Sequence, residues 1–149
     1  IEPYHLWKDE QDHQTGDVKD GVPFQPDFKQ QDEVFHGFVK RYPNIKCIAR
    51  HVRYAHSCSE NSLMAYLWYD GKTYESQKLR FHILDRVGGG DAFVSGIIYA
   101  LMNEYKPQDI ADFGVVASAV KHTIHGDGNI TDDVSLIEHI MQMNFDIKR

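Results

Sequence analysis

An α/β fold is the expectation for this chain of 149 residues, and three observations carry it. Short runs rich in β-branched and aromatic residues fill the middle third, with Asp70-Gly71 set between two of them as a hairpin turn. Long apolar stretches of helical spacing follow from Ala92 onward. Between these two regimes lie three consecutive glycines, Gly88 to Gly90. Strands mixed with buried helices indicate an α/β fold.

The elements follow in order. Residues 1–33 show no sustained period and hold Pro3, Gly16, Gly21, Pro23 and Pro26 among charged and amide side chains, so a polar acidic loop or surface insertion is expected there. The domain proper is expected over 34–149. Asp32 to Arg41 reads as an amphipathic helix with Val34, Phe35, Phe38 and Val39 on one side, stopped by Pro43-Asn44. Ile45 to Val52 reads as a strand, as do Met64 to Tyr69 and Lys72 to Ser76, the last two forming the hairpin. A strand over Arg80 to Leu84 leads into the glycines.

The helix from Ala92 to Tyr105 is apolar nearly all round, which predicts burial in the middle of the fold. After Lys106-Pro107, a second helix over Gln108 to Lys121 turns Ile110, Phe113, Val116, Ala117 and Val120 inward. Its small residues Gly114, Ala117, Ser118 and Ala119 allow close approach of another helix or of a flat ring. A last helix is expected over Asp133 to Met143, with Thr131 or Asp132 as its N-cap.

The formal net charge of −6 argues against a nucleic-acid partner, which would call for a basic stripe. The acidity is local. Residues 1–33 carry nine acidic and three basic side chains, and the remainder carries thirteen of each. No apolar run is long enough to span a membrane. Cys47 and Cys58 make no disulfide framework, and a cytoplasmic location is the default expectation.

The chemistry concentrates in Asp85-Arg86-Val87-Gly88-Gly89-Gly90-Asp91-Ala92-Phe93. Glycine lets a backbone approach a ligand closely and adopt positive φ. The first turn of the following helix offers unpaired N–H groups and the positive end of its dipole, a natural seat for an anion. Asp91 stands where those amides converge. A carboxylate there can take a proton from a hydroxyl while the amides hold the developing charge. That is the layout of a phosphoryl-transfer site. A flexible glycine-rich turn, with Asp91 as a helix cap, is the alternative reading. The loop is neither of two common phosphate motifs: no Lys follows the glycines, and Phe93 stands where a dinucleotide fingerprint needs glycine.

Asp-x-x-Gly-x-Gly-Asp at the start of an apolar helix resembles the C-terminal signature of the ribokinase-like (PfkB) carbohydrate kinases. Tyr42-Pro43-Asn44-Ile45-Lys46, Tyr69-Asp70-Gly71-Lys72 and Ala117-Ser118-Ala119-Val120-Lys121-His122-Thr123-Ile124-His125-Gly126-Asp127 also appear in family order. The Asp-Arg-Val variant and the Lys-His-Thr-Ile segment make the chain most similar to the 2-keto-3-deoxygluconate kinase branch. The resemblance runs from about Glu33 to the end. It implies the C-terminal, nucleotide-binding part of a three-layer α/β/α sandwich, with the N-terminal half absent.

The resemblance implies ATP-dependent phosphoryl transfer to a sugar acid, 2-keto-3-deoxygluconate, with ATP and Mg²⁺ as cofactors. Asp91 would be the catalytic base, and Gly88, Gly89 and Gly90 the anion hole. Asp85 would act on a hydrated magnesium ion, unless it is a strand-end Asp bonded to the loop backbone. Ala117 to Asp127 matches the stretch lining the adenine pocket. Lys121, His122, Gly126 and Asp127 are its candidate contacts, against the alternative of close helix packing and an ordinary turn. Arg53 stands near a basic phosphate contact of the family, with Arg50 as a rival. Two other functions stay open: a PfkB-type kinase for fructose, ribose or a nucleoside, and a non-catalytic nucleotide-binding module. A half-fold would also expose sheet edge and apolar helix faces, which predicts self-association.

Overall fold

A computed structural model describes strand segments 6–8, 18–19 and 22–23 and the residues 28–128 and 134–142. In chain order the elements are β1 (Leu6–Lys8), β2 (Val18–Lys19), β3 (Val22–Pro23), α1 (Phe28–Arg41), β4 (Cys47–Ala55), β5 (Glu60–Tyr69), β6 (Lys72–Glu75), β7 (Leu79–His82), α2 (Gly89–Met102), α3 (Pro107–Lys121) and α4 (Val134–Gln142). The α/β expectation holds. The described sheet is antiparallel, in the order β1-β7-β5-β4, with β6 sharing the β5 edge with β7. Short β2 and β3 pair with each other.

β5 organises the sheet because both its faces are apolar. Leu63, Ala65 and Leu67 point to one side and join Phe93, Phe113, Val116 and Val120 in the main core. Met64, Tyr66 and Trp68 point to the other and meet Phe35 of α1. A strand buried on both faces must lie between two helical layers. The three-layer expectation is met, with α1 on one side and α2 and α3 on the other.

Turn chemistry pins the register. Asp70 (φ 46°) and Gly71 (φ 88°) both take positive φ in the two-residue turn from β5 to β6. Such turns match the twist of paired strands. Between β6 and β7 the ladder is bridged by Ser76. Its N–H donates to Ala65 O at 2.9 Å, and its Oγ accepts from Ala65 N at 2.8 Å.

Several strands differ from expectation: β1, β2 and β3 lie in the segment expected as a loop, β4 ends at Ala55 rather than Val52, β5 begins at Glu60 rather than Met64, and β7 ends at His82 rather than Leu84. Two helices differ as well. α1 begins at Phe28 rather than Asp32, so the polar segment expected through residue 33 is helical over its last six residues. The reason is tertiary. Gln31 is buried and accepts a 2.6 Å bond from Arg50, and Asp32 accepts one of 2.5 Å from Thr73. Side chains that look solvated in sequence fasten the helix to β4 and β6. The second difference concerns α2, which starts three residues earlier than expected and is buried on one side alone. Phe93, Gly96, Ile97 and Ala100 are covered, whereas Val94, Ile98 and Met102 are 54%, 51% and 79% exposed.

The small residues of α3 receive a helix. A side chain on Gly114 would stand 2.6 Å from Ile97 Cδ1, and one on Gly96 would stand 3.0 Å from Ala117 Cβ. Pro107 opens α3 at a position where its missing N–H costs nothing. α4 packs on α3 through buried Ile140, and Tyr105 donates its phenolic hydrogen to Glu138. The expected N-cap at Thr131 or Asp132 lies outside the described residues.

Candidate active site

The glycine loop is held from behind by the end of α3. Leu84 N and Asp85 N both donate to His122 O, at 2.8 and 3.2 Å. Asp85 then turns the chain: its Oδ1 accepts from Val87 N at 3.1 Å and its Oδ2 from Gly126 N at 2.8 Å. Those backbone donors, with help from the Lys121 charge, hold the Asp85 carboxyl below the ordinary carboxylate range.

Gly88 takes the left-handed conformation (φ 77°) as the N-cap of α2, and its carbonyl accepts from Ala92 N at 2.9 Å. Asp91 is therefore in the first turn, exposed, and is not the cap. Glycine is required at position 88 for its φ and at position 89 for space. A Cβ on Gly89 would sit 2.2 Å from His122 Cε1.

The last turn of α3 carries three buried polar side chains. Ser118 Oγ donates to Gly89 O at 2.8 Å. Lys121, 1% exposed, donates from Nζ to Gly126 O at 2.7 Å. His122 bonds through Nδ1 to Ser118 O at 2.7 Å and rests on Phe81, ring centroids 5.1 Å apart. A carbonyl can only accept, so Nδ1 carries the hydrogen. Burial pushes the His122 pKa down. The bond to Ser118 opposes that, and the nearby charges of Arg53, Arg86 and Lys121 push the same way as burial.

In front of this scaffold a cleft of about 530 Å³ runs along the groove between α2 and α3. On α2 it follows Gly88, Asp91, Ser95 and Tyr99, and on α3 Lys121, Ala117 and Phe113. Asp127 borders the glycine end, and Val134 and Ile137 of α4 complete the lining. Eleven residues of helix separate Gly88 from Tyr99, roughly 16 Å at 1.5 Å per residue. The glycine end is polar and rich in helix-terminal amides. The far end is aromatic, where Tyr99 stacks on Phe113 at 5.3 Å. Such a cleft can seat a flat apolar ring at one end and an anion at the other.

The expected site residues separate into groups. Gly88, Asp91, Lys121 and Asp127 meet at the mouth of the cleft. Gly89 and His122 are buried behind it, so His122 shapes the loop and is not part of the cleft lining. Gly90 is exposed with open space around it. Gly126 is the clamp point between Asp85 and Lys121. Arg53 lies on the face of β4 that carries His51, whose ring meets Phe93, and it is near enough to His122 to act on it electrostatically. It does not line the cleft, and neither does its rival Arg50, which bonds Gln31 on the opposite face.

Ser118, Tyr99, Phe113, Val134 and Ile137 were not among the expected site residues. Ser118 carried a signal, being the one hydroxyl in the apolar run Phe113 to Val120. The others read as core and reveal themselves only once three helices are packed.

Among the described residues no group of three or more His, Cys, Asp or Glu side chains could hold a metal ion. Mg²⁺ binds proteins through one or two carboxylates and keeps waters and phosphate oxygens for the rest. Asp127 at the cleft mouth fits that role. Asp85, whose carboxylate is held by the backbone amides of Val87, Gly126 and Arg86, is the second carboxylate beside the loop.

No protein-family model matches the chain. Over 71 residues it is 30% identical to a 5-dehydro-2-deoxygluconokinase of Clostridium botulinum, a match covering 48% of this chain and 20% of that protein. Its fold is similar to the crystal structure of 2-dehydro-3-deoxygluconokinase from Thermotoga maritima, with TM-score 0.73 and 27% identity over 81% of this chain and 37% of the other. A PfkB family carbohydrate kinase from Listeria grayi gives TM-score 0.66 and 32% identity over 70% of this chain and 33% of the other. The match thus spans about a fifth of the curated relative and about a third of each solved structure.

Proposed function

The chain is similar in sequence and fold to the C-terminal part of the PfkB sugar kinases, and from that premise we propose that it supplies the nucleotide- and phosphate-binding part of an ATP-dependent sugar-acid kinase. One observation carries the reading: the α2–α3 cleft is polar and amide-rich at Gly88 and aromatic at Tyr99 and Phe113. Adenine would lie against the aromatic end and the phosphates against the first turn of α2 and Lys121.

Asp91 would take the proton from the attacking sugar hydroxyl. That oxygen forms a bond to the γ-phosphorus as the bond to ADP breaks, and the proton stays on the carboxylate. The free amides at the start of α2 would hold the charge that grows on the transferred group. Mg²⁺, when bound, neutralises phosphate charge. Asp127 and Asp85 are its candidate carboxylates. Lys121 gives a fixed positive charge beside the loop. His122 and Arg53 act from behind, on the loop and its field.

The acceptor proposed is 2-keto-3-deoxygluconate. The names of the relatives support a deoxygluconate bearing one extra carbonyl, at carbon 2 in one case and carbon 5 in the other. A cytoplasmic location fits this chemistry. Among the described residues no helix is long and apolar enough to cross a membrane.

The test is transfer of the γ-phosphate from Mg·ATP to each of the two keto acids, by wild type and Asp91→Asn. The variant should lose about 10²–10⁴-fold in turnover with unchanged folding. Near-normal turnover in Asp91→Asn would remove Asp91 as the base.

A second reading is a self-associating module that binds nucleotide without catalysis. It is favoured by the exposed stripe Val94, Ile98 and Met102 and by β4, whose outer edge pairs with no strand among the described residues. Light scattering across a concentration series tests it, and a monodisperse monomer would count against it.

A further inference from the structure

We propose that Asn61 and His122 hold one buried water molecule between them, and that Asn61 positions the His122 ring behind Gly89 through it. The inference does not depend on the kinase reading.

Asn61 is the polar exception in an apolar layer. It is fully buried, and neither its amide nitrogen nor its amide oxygen has a hydrogen-bond partner among the described residues. Flipping the amide changes nothing, since both atoms are alike in this. The group brings two N–H donors and an acceptor. Protein interiors satisfy such groups with other protein atoms or with ordered water.

Strand register places it. Asn61 of β5 stands opposite Phe81 of β7 and opposite Ala55 of β4. Directly paired residues share a face of the sheet. Phe81 belongs to the main core beneath α2 and α3, so Asn61 faces that layer as well. The His122 ring rests on Phe81, centroids 5.1 Å apart, and fills the space beside Gly89. Asn61 and His122 thus flank one phenyl ring. Their neighbours include small residues: Ala55 lies across from Asn61, and Gly89 has no side chain beside the imidazole.

His122 supplies the complement. Its Nδ1 donates to Ser118 O at 2.7 Å, so Nε2 of the neutral ring keeps a lone pair and can accept. Desolvation, with the charges of Arg53, Arg86 and Lys121, favours that neutral form. No hydrogen bond among the described residues reaches Nε2. An amide in need of an acceptor and an imidazole nitrogen in need of a donor therefore flank the same ring. Water joins such a pair, because it accepts from one and donates to the other.

The experiment is a high-resolution crystal structure of the whole wild-type chain, joined to ¹⁵N NMR of the neutral His122 ring and thermal melts of wild type and Asn61→Leu. Wild type should show one water at about 2.7–3.2 Å from both Asn61 and His122 Nε2. Leu is close to Asn in shape and has no polar atom. Asn61→Leu should strand Nε2, move its ¹⁵N resonance toward that of an unbonded ring nitrogen, and lower the melting temperature by about 2–8 °C. If Asn61 holds nothing, the same variant relieves a buried polar group, raises the melting temperature and leaves the resonance in place. A raised melting temperature, an unmoved Nε2 resonance, or a wild-type structure with no water touching both groups overturns the proposal. Should Asn61→Leu fail to fold, the wild-type structure decides alone.

Discussion

The His122 imidazole occupies the space that a side chain on Gly89 would need, with Cε1 2.2 Å from where a Cβ would stand. The ring cannot easily yield, because Nδ1 is bonded to Ser118 O and its face rests on Phe81. Gly89→Ala should therefore destabilise the fold by about 1–3 kcal/mol, the usual cost of overpacking. Gly90→Ala, one residue on, meets nothing within 4 Å and should fold as wild type. Chemical denaturation of the two variants gives the comparison. Equal stability would mean that the loop moves freely past His122.

Stability should fall on mild acidification. Desolvation lowers the pKa of buried His122 and of the more exposed His51, and positive neighbours (His122, Arg53 and Arg50 beside His51; Arg53, Arg86 and Lys121 beside His122) push the same way, outweighing the His122–Ser118 bond. A histidine depressed in the fold binds its proton more readily when unfolded. The unfolded state is then favoured as pH drops through the ordinary histidine value of about 6.5, and the loss is complete below the folded pKa. Melting temperature should decline from pH 7.5 to 5, and His122→Gln should flatten the slope. A wild-type melting temperature independent of pH over that range would contradict the burial of His122.

Tyr105 and Glu138 join the end of the α2 region to α4. The Tyr105 phenol donates to the Glu138 carboxylate, which pushes its pKa up to about 12. Ionising the phenol would forfeit that bond and set two negative charges side by side. Glu138→Gln should bring the phenol back toward its ordinary value of about 10. Ultraviolet titration of the phenolate reports it. Because Val134 and Ile137 of α4 line the cleft, the same variant should loosen the apolar end and weaken adenosine. An unshifted phenol would mean that α4 does not dock as described.

Much of the site was legible because it is local. Asp85 to Phe93 carries its chemistry in a few consecutive residues, and a positive φ within the glycines follows from residue type, although α2 begins at Gly89 rather than at the expected Ala92. The hairpin at Asp70-Gly71 was legible for the same reason. Two readings stood level for Asp85, and the structure supplies one of them directly: both oxygens accept loop amides. The small residues of α3 likewise admitted a helix or a ring. Gly114 receives the helix, and Ala117 also borders the cleft.

By itself the sequence determined the element types from β4 onward, the glycine turn and the candidate base, since each depends on torsional preference and spacing within a few residues. Tertiary structure decided what meets across long separations. It drew Gln31 and Asp32 into a helix by bonding them to Arg50 and Thr73. It set His122 behind Gly89 instead of in the cleft, and brought Ser118 to a carbonyl 29 residues away. It left one side of an apolar helix exposed. A polar side chain reads as solvated until the acceptor it reaches is known. An apolar one reads as core until the layer that covers it is known.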